Sequence, residues 1–232
     1  MPSPTSPTSP IRPTSPTSPI RPTSPTSPIR PTSPTSPIRP TSPTSPIRLH
    51  VVSASVRPTS AARPLARWAA DQAHAHGGGR FEVTPVDLAD VALPFLDEPE
   101  YASTGIYTHP HTRAWSALVD SADAFLFVLP MYNGGFTAPF KNAIDFLHRE
   151  WRGKPAGLLS YSAGGSGGAP AGRMLRPVLE AVGMVPAGAS VAVPGITGLV
   201  TADGFRAPEG LDGELATVLD ELSALSRTPV SA

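Results

Sequence analysis

With 232 residues, 18 basic and 18 acidic side chains and no cysteine, the chain has room for one full-sized domain but none for disulfides, thiolate metal sites or a cysteine nucleophile. The charge is unevenly spread: residues 1–48 carry five arginines and no acid, so the other 184 residues hold 13 basic against 18 acidic groups, net −5. A mildly acidic domain argues against sequence-independent nucleic-acid binding, and no apolar run approaches the roughly 20 residues of a membrane span.

Residues 1–48 repeat the nonapeptide PTSPTSPIR, with Ile11, Ile20, Ile29, Ile38 and Ile47 each followed by arginine. Proline at about every third position removes helix and ladder hydrogen bonds, and one isoleucine per repeat cannot build a core. This segment is expected to be disordered with local polyproline II character, ahead of a folded domain at 49–232. Two readings of the tail stay open: PxxP ligands or proline-directed phosphorylation sites on one side, repeat expansion or an early start codon on the other. The amino terminus lacks the apolar stretch of a secretion signal, and such proline density forbids the amphipathic helix of a transit peptide, so a cytoplasmic protein is expected.

Order begins at Leu49. Leu49 to Val52 form a short apolar strand, followed by SASVRPTS and a helical pattern through Leu65, Ala66, Trp68 and Ala69 that stops at HAHGGG. Phe81 to Val86 alternate as a strand, DLADVALPFLDEPE reads as an acidic, proline-broken loop, and Thr112 to Ser121 as a helix. Ala124 to Leu129 form a continuous apolar strand that stops at Pro130, turns through Met131, Tyr132, Asn133, Gly134 and Gly135, and resumes as a helix after Pro139. Phe140, Ala143, Ile144 and Leu147 make an i, i+3, i+4, i+7 stripe, read as helix core. Ala156 to Ser160 give a fourth strand, ending in YSAGGSGGAPAG before a helix through Met174, Leu175, Val178 and Leu179. Ala187 to Val193 give a fifth strand, 194–209 a loop, and Leu211 to Leu225 a closing helix. Strands alternating with helices predict an α/β three-layer sandwich around a five-stranded parallel, doubly wound sheet.

In such a sheet the loops after strands one, three and four open on one edge, where the strand order reverses. The first, Ser53 to Ser60, offers hydroxyls, Arg57 and a helix start, which suits a phosphomonoester; an ordinary Ser/Thr N-cap explains the same residues. No GxxxxGK[ST] is present, which speaks against a triphosphate with magnesium. The second, Pro130 to Gly135, sets an aromatic and an amide beside two glycines, either as the wall of a flat ring or as a plain strand-to-helix turn. The third, Ser160 to Gly172, is glycine-rich without GxGxxG, and is either a ligand loop or a mobile solvent loop. His74 with His76, and His109 with His111, lack the i, i+4 spacing of a helical metal site and are expected to be solvated, as are Asp87, Asp90, Asp97, Glu98 and Glu100.

The segments SVRPTSAARPLARW, DLADVALPFLDEP, PMYNGGFTAPFKNAIDFL and SAGGSGGAPAGRMLRPVLEAVGMVP, in this order and spacing, resemble the NADPH-dependent FMN reductases of flavodoxin-like fold. The resemblance covers about residues 49–193. It implies FMN as cofactor and NADPH or NADH as electron donor, with two electrons passed through the flavin N5 to a quinone, free flavin, azo dye or metal oxyanion. The family pattern GSxRxxS falls on Ala54, Ser55, Arg57 and Ser60, which by resemblance bind the FMN phosphate, with Ala54 in place of glycine. Pro130, Met131, Tyr132 and Asn133 match the PxYN segment along the isoalloxazine ring; Met131 stands where many members have glutamate, and Gly134 and Gly135 where bulkier residues are common. Ser160, Gly164 and Gly165 match the third flavin-contacting loop. No side chain is assigned an acid, base or nucleophile role, and a homodimer or homotetramer with small-molecule partners is implied. Two rivals are a flavodoxin-like electron carrier, which keeps FMN without turning over nicotinamide, and a non-enzymatic interaction protein built on the proline-rich tail.

Overall fold

The computed structural model describes residues 45–228; the disorder expected of the repeats falls almost wholly outside them. A parallel sheet forms from β1 (Ile47–Ser53), β2 (Phe81–Asp87), β3 (Ala124–Pro130) and β4 (Pro155–Tyr161), with β5 (Val185–Pro186) and β6 (Val191–Val193) both pairing with β4. The order is β2-β1-β3-β4 followed by β5 and β6, so winding reverses between β1 and β3.

Every residue of β3 is buried, and alternation decides where each goes. Ala124, Leu126 and Val128 join Leu49, Val51 and Leu159 under α1 (Ala62–Ala75) and α6 (Leu211–Arg227), which add Leu65, Leu215, Leu219 and Leu222. Phe125, Phe127 and Leu129 face the other way, toward α3 (Pro110–Asp120), α4 (Ala138–Asp145) and α5 (Ala169–Ala181), packing with Trp115, Phe140, Trp151 and Leu175. Helices on both faces of a parallel sheet are the expected three-layer sandwich. The stripe at Phe140, Ala143, Ile144 and Leu147 is buried core, as its spacing predicts.

Three expectations need correction. The first strand starts at Ile47, two residues early: Ile47 is fully buried, and Arg48 makes a bidentate pair with Asp123, Nε to Oδ2 at 3.0 Å and Nη2 to Oδ1 at 2.6 Å. Reading Ile47 and Arg48 as the last repeat hid their place in the sheet. The fifth strand is split. Ala187 N–H still reaches the Ala156 carbonyl at 2.9 Å, but the chain then leaves the sheet: Arg176 donates to the Ala187 and Gly188 carbonyls, and Ala189 N–H donates to Glu221 at 3.0 Å. Side chains thus replace the ladder across the gap. Two stretches read as loops are partly ordered into elements, the short α2 (Leu88–Val91) and a hairpin of β7 (Val200–Thr201) and β8 (Gly204–Phe205).

Among the described residues no helix is long and apolar enough to cross a membrane, and no cluster of His, Asp or Glu is arranged to hold a metal. Three of the four histidines named above have carboxylate or carbonyl partners: His76 with Asp220, His111 with Asp97, and His109 with the Asp97 carbonyl.

Candidate functional site

Register fixes where the site forms. Ser53 is level with Val128, and Pro130, Tyr161 and Val193 are level with one another, so β1, β3, β4 and β6 deliver their following loops to one sheet edge. Between those loops lies a pocket of about 380 Å³, lined among others by Arg57, Thr59, Ser60, Pro130, Met131, Tyr132, Tyr161, Ser162 and Thr197. The lining holds one cation and no carboxylate.

The first loop is held from outside. Arg63 pairs with Asp87 at 2.5 Å and donates to the carbonyls of Arg57 and Pro58 at 3.0 Å each, turning those oxygens away from any anion. Ser55 Oγ accepts from Arg57 N–H at 3.4 Å, and Ser60 Oγ accepts from Ala62 N–H at 3.1 Å, giving the Ser-turn geometry that opens α1. The N–H groups of Thr59 and Ala61 find no acceptor among the described residues, and neither does the Arg57 guanidinium find a partner. Ala54 sits in the sheet ladder, its N–H on the Val128 carbonyl at 2.9 Å and its carbonyl accepting from Thr137 Oγ1 at 2.7 Å. Its φ is not positive, which explains why alanine serves where the family pattern has glycine.

The second loop is a two-residue hairpin turn. Tyr132 and Gly135 exchange N–H to carbonyl bonds at 2.9 and 3.0 Å, with Asn133 at φ 52° and Gly134 at φ 86° between them. Asn-Gly is the pair that tolerates two successive left-handed residues. Met131 N–H donates to the Tyr161 carbonyl at 3.0 Å, tying this loop to the end of β4.

The third loop uses its glycines unequally. Gly167 and Gly168 have φ of 59° and 81°, and a Cβ on either would lie 2.7 Å from backbone of Ala192 or Tyr161 respectively. Gly164 and Gly165 stand at the exposed tip, where a Cβ would meet nothing within 4 Å, and their N–H groups have no protein acceptor among the described residues.

Of the residues singled out in the sequence, Arg57, Ser60, Pro130, Met131 and Tyr132 surround the pocket, and Ser55, 1% exposed, lies behind Tyr132. Asn133 and Gly134 form the turn rather than the lining. Ser160 points inward, its hydroxyl donating to the carbonyls of Gly167 at 3.0 Å and Val191 at 3.3 Å, so it anchors the glycine loop. Thr59, whose hydroxyl the sequence offered as part of the first loop, also lines the pocket; sequence reasoning missed Ser162 and Thr197 as lining, and gave Tyr161 no role. Tyr161 carried one signal, its position at the carboxyl end of a strand directly before the glycines. Thr197 carried none, since it reaches the site only because Ile196 N–H bonds to the Ser162 carbonyl at 3.1 Å.

Burial pushes the Tyr161 phenol up to about 12, so it stays a neutral hydroxyl throughout the physiological range. A larger groove, about 490 Å³, lies beside Val56 and is lined by Leu88, Leu93, Phe95, Pro139 and Ala143 among others. Its polar side chain, Asn142, is already engaged by Leu96 N–H and the Pro94 carbonyl. The groove is apolar and offers no free polar side chain to a reaction, whereas the smaller pocket carries the unpaired cation, the free N–H groups and the hydroxyls. That donor set, without an opposing acid, fits the phosphate end of FMN.

The family model described as NADPH-dependent FMN reductase matches residues 47–198. An NAD(P)H-dependent FMN reductase of Schizosaccharomyces pombe is 39% identical over 133 residues, which are 56% of this chain and 64% of that protein. A probable NADPH:quinone oxidoreductase of Oryza sativa subsp. japonica is 35% identical over 134 residues, 56% of this chain and 63% of its own. In both cases the chain spans slightly less than two thirds of the relative. In fold, the chain is similar to the solved flavoenzyme NAD(P)H:(acceptor) oxidoreductase of Paracoccus denitrificans, with a TM-score of 0.64, 24% identity, and coverage of 78% of this chain and 97% of that one.

Proposed function

The chain belongs to the NADPH-dependent FMN reductase family, and from that premise we propose that it binds FMN where its three loops meet and passes two electrons from NADPH or NADH to a small-molecule acceptor. Quinones are the first acceptor class to test, with free flavin, azo compounds and metal oxyanions as the others. The observation that carries this reading is the pairing of hydroxyls across loops: two serines of the first loop each meet a tyrosine from another loop, Ser55 with Tyr132 at 3.3 Å and Ser60 with Tyr161 at 3.1 Å.

Bound FMN supplies the hydride and electron chemistry. The chain's own residues bind and orient. Arg57, Ser60 and the free N–H groups at the start of α1 hold the phosphate; Met131 and Tyr132 shape the ring face; the N–H groups of Gly164 and Gly165 are the donors for the ring's heteroatoms. The apolar Met131, in place of an acid, leaves the acceptor side without negative charge and favours flat, uncharged acceptors. Phe95, Leu96, Tyr101 and Ile106 are exposed apolar side chains, which supports assembly into a homodimer or homotetramer.

The test is steady-state NADPH and NADH oxidation by FMN-reconstituted protein, with and without a benzoquinone. Turnover that depends on both FMN and quinone is expected. FMN binding with no nicotinamide turnover would instead identify an electron carrier.

A further inference from the structure

We propose that Tyr161 is a positioning residue that makes Ser60 a proton donor toward the phosphate of the bound cofactor. This inference rests on the FMN reading above and extends it to a residue outside the motif that binds phosphate.

A serine hydroxyl has two acceptor positions and one proton. Ala62 N–H occupies one acceptor position of Ser60 Oγ at 3.1 Å, and the Tyr161 hydroxyl lies 3.1 Å from the same oxygen, a contact in which either hydroxyl can be the donor; the phenol, the stronger acid of the two, is assigned the donor role. With the phenol donating, both acceptor positions are filled and the Ser60 proton is left for an anion in the pocket that Ser60 lines. If the phenol were absent, the Ser60 proton could turn inward, and an incoming phosphate would have to reorient it.

The phenol is placed by the frame rather than by a ligand. Tyr161 is 5% exposed at the end of β4. Its carbonyl accepts from Met131 N–H at 3.0 Å, and Gly168 packs so tightly that a Cβ there would lie 2.7 Å from the Tyr161 oxygen and 2.8 Å from its nitrogen. Tyr161 therefore touches all three loops: its backbone meets the second and third, and its hydroxyl meets the first. Phenylalanine would fill the same space, so packing does not account for the hydroxyl. Positions fixed before binding lower the cost of ordering a site.

The experiment compares FMN with riboflavin, which lacks the phosphate, by quenching of flavin fluorescence on wild type, Tyr161→Phe, Ser60→Ala and the double variant. For Tyr161→Phe, FMN binding about fivefold to tenfold weaker is expected, the size of one hydrogen bond, with riboflavin binding unchanged. In the Ser60→Ala background the same change is expected to add nothing, because the phenol acts through Ser60. Equal weakening of both flavins, unchanged FMN affinity, or fully additive losses in the double variant would each overturn the positioning role. Wild-type protein that binds neither flavin would overturn the functional reading itself, and the inference with it.

Discussion

The hydroxyl of Tyr132 lies 3.3 Å from Ser55 Oγ, fastening the turn after β3 to the loop after β1. Ser55 is buried by this contact, and the residues that follow it swing outward to leave Arg57 exposed at the pocket edge without a partner among the described residues. An unengaged guanidinium beside free N–H groups is poised for a charge-assisted bond to phosphate. Replacing it, as in Arg57→Ala, is expected to weaken FMN binding about tenfold to a hundredfold while leaving riboflavin binding unchanged. Titration of the flavin-free protein with each flavin checks this, and equal affinity of variant and wild type for FMN would remove Arg57 from the phosphate site.

Gly168 and Gly164 share a loop but not a role. Gly168 combines φ of 81° with neighbouring backbone only 2.7 Å from where a Cβ would stand, whereas Gly164 has open space around it. Gly168→Ala is expected to cost about 3 kcal/mol of stability. Gly164→Ala should change stability by less than about 0.5 kcal/mol. Urea denaturation of the two variants side by side measures the contrast.

His50 predicts a particular pH dependence. It is 3% exposed, its ring packs edge-on to Phe125, and burial, helped by the Lys154 charge, pushes its pKa down to about 4 from an ordinary 6.5. The unfolded chain therefore takes up a proton near 6.5 that the folded chain refuses until about 4, and stability falls as pH drops through that window. Between pH 7 and 5 the loss is about 2 kcal/mol. His50→Gln should lack this component, so unfolding free energies of variant and wild type at the two pH values should converge as the pH falls; parallel losses would show that His50 does not titrate as argued.

The edge of the folded domain can be tested by truncation. A chain beginning at Ser45 keeps β1 whole, but one beginning at Leu49 loses the fully buried Ile47 and the Arg48–Asp123 pair. Burial of an isoleucine stabilises by about 1.5 to 3 kcal/mol and the half-exposed pair by no more than about 1. The shorter chain is expected to unfold at lower urea by about 3 kcal/mol; coincident transitions would show that β1 is held by Leu49 onward.

The architecture was legible because Ala124 to Leu129 is a continuous apolar run that only a sheet covered on both faces can bury, and because Asn133-Gly134 announces its turn. Ile47 and Arg48 were misread since a repeat unit and a strand start look alike until Asp123 is seen opposite. The split after Pro186 depends on Arg176 and Glu221, 10 and 35 residues away in the chain, and such long-range compensation leaves no local trace. At the candidate site, residue type and loop position made Arg57, Ser60 and Tyr132 candidates without deciding against an N-cap or a plain turn, and the three line one pocket. Ser160 has the same chemistry yet points inward, and Tyr161, beside it, points to the pocket: alternation along β4 decides which is which, and a motif alone does not record the face.

The most direct measurement is an anaerobic titration of the FMN-loaded protein with NADPH, followed by addition of a quinone. The expected result is bleaching of the visible flavin absorbance in proportion to NADPH, and its return when the quinone is added. Flavin that stays oxidised with both NADPH and NADH, yet bleaches with a chemical reductant, would contradict an NAD(P)H-dependent reductase.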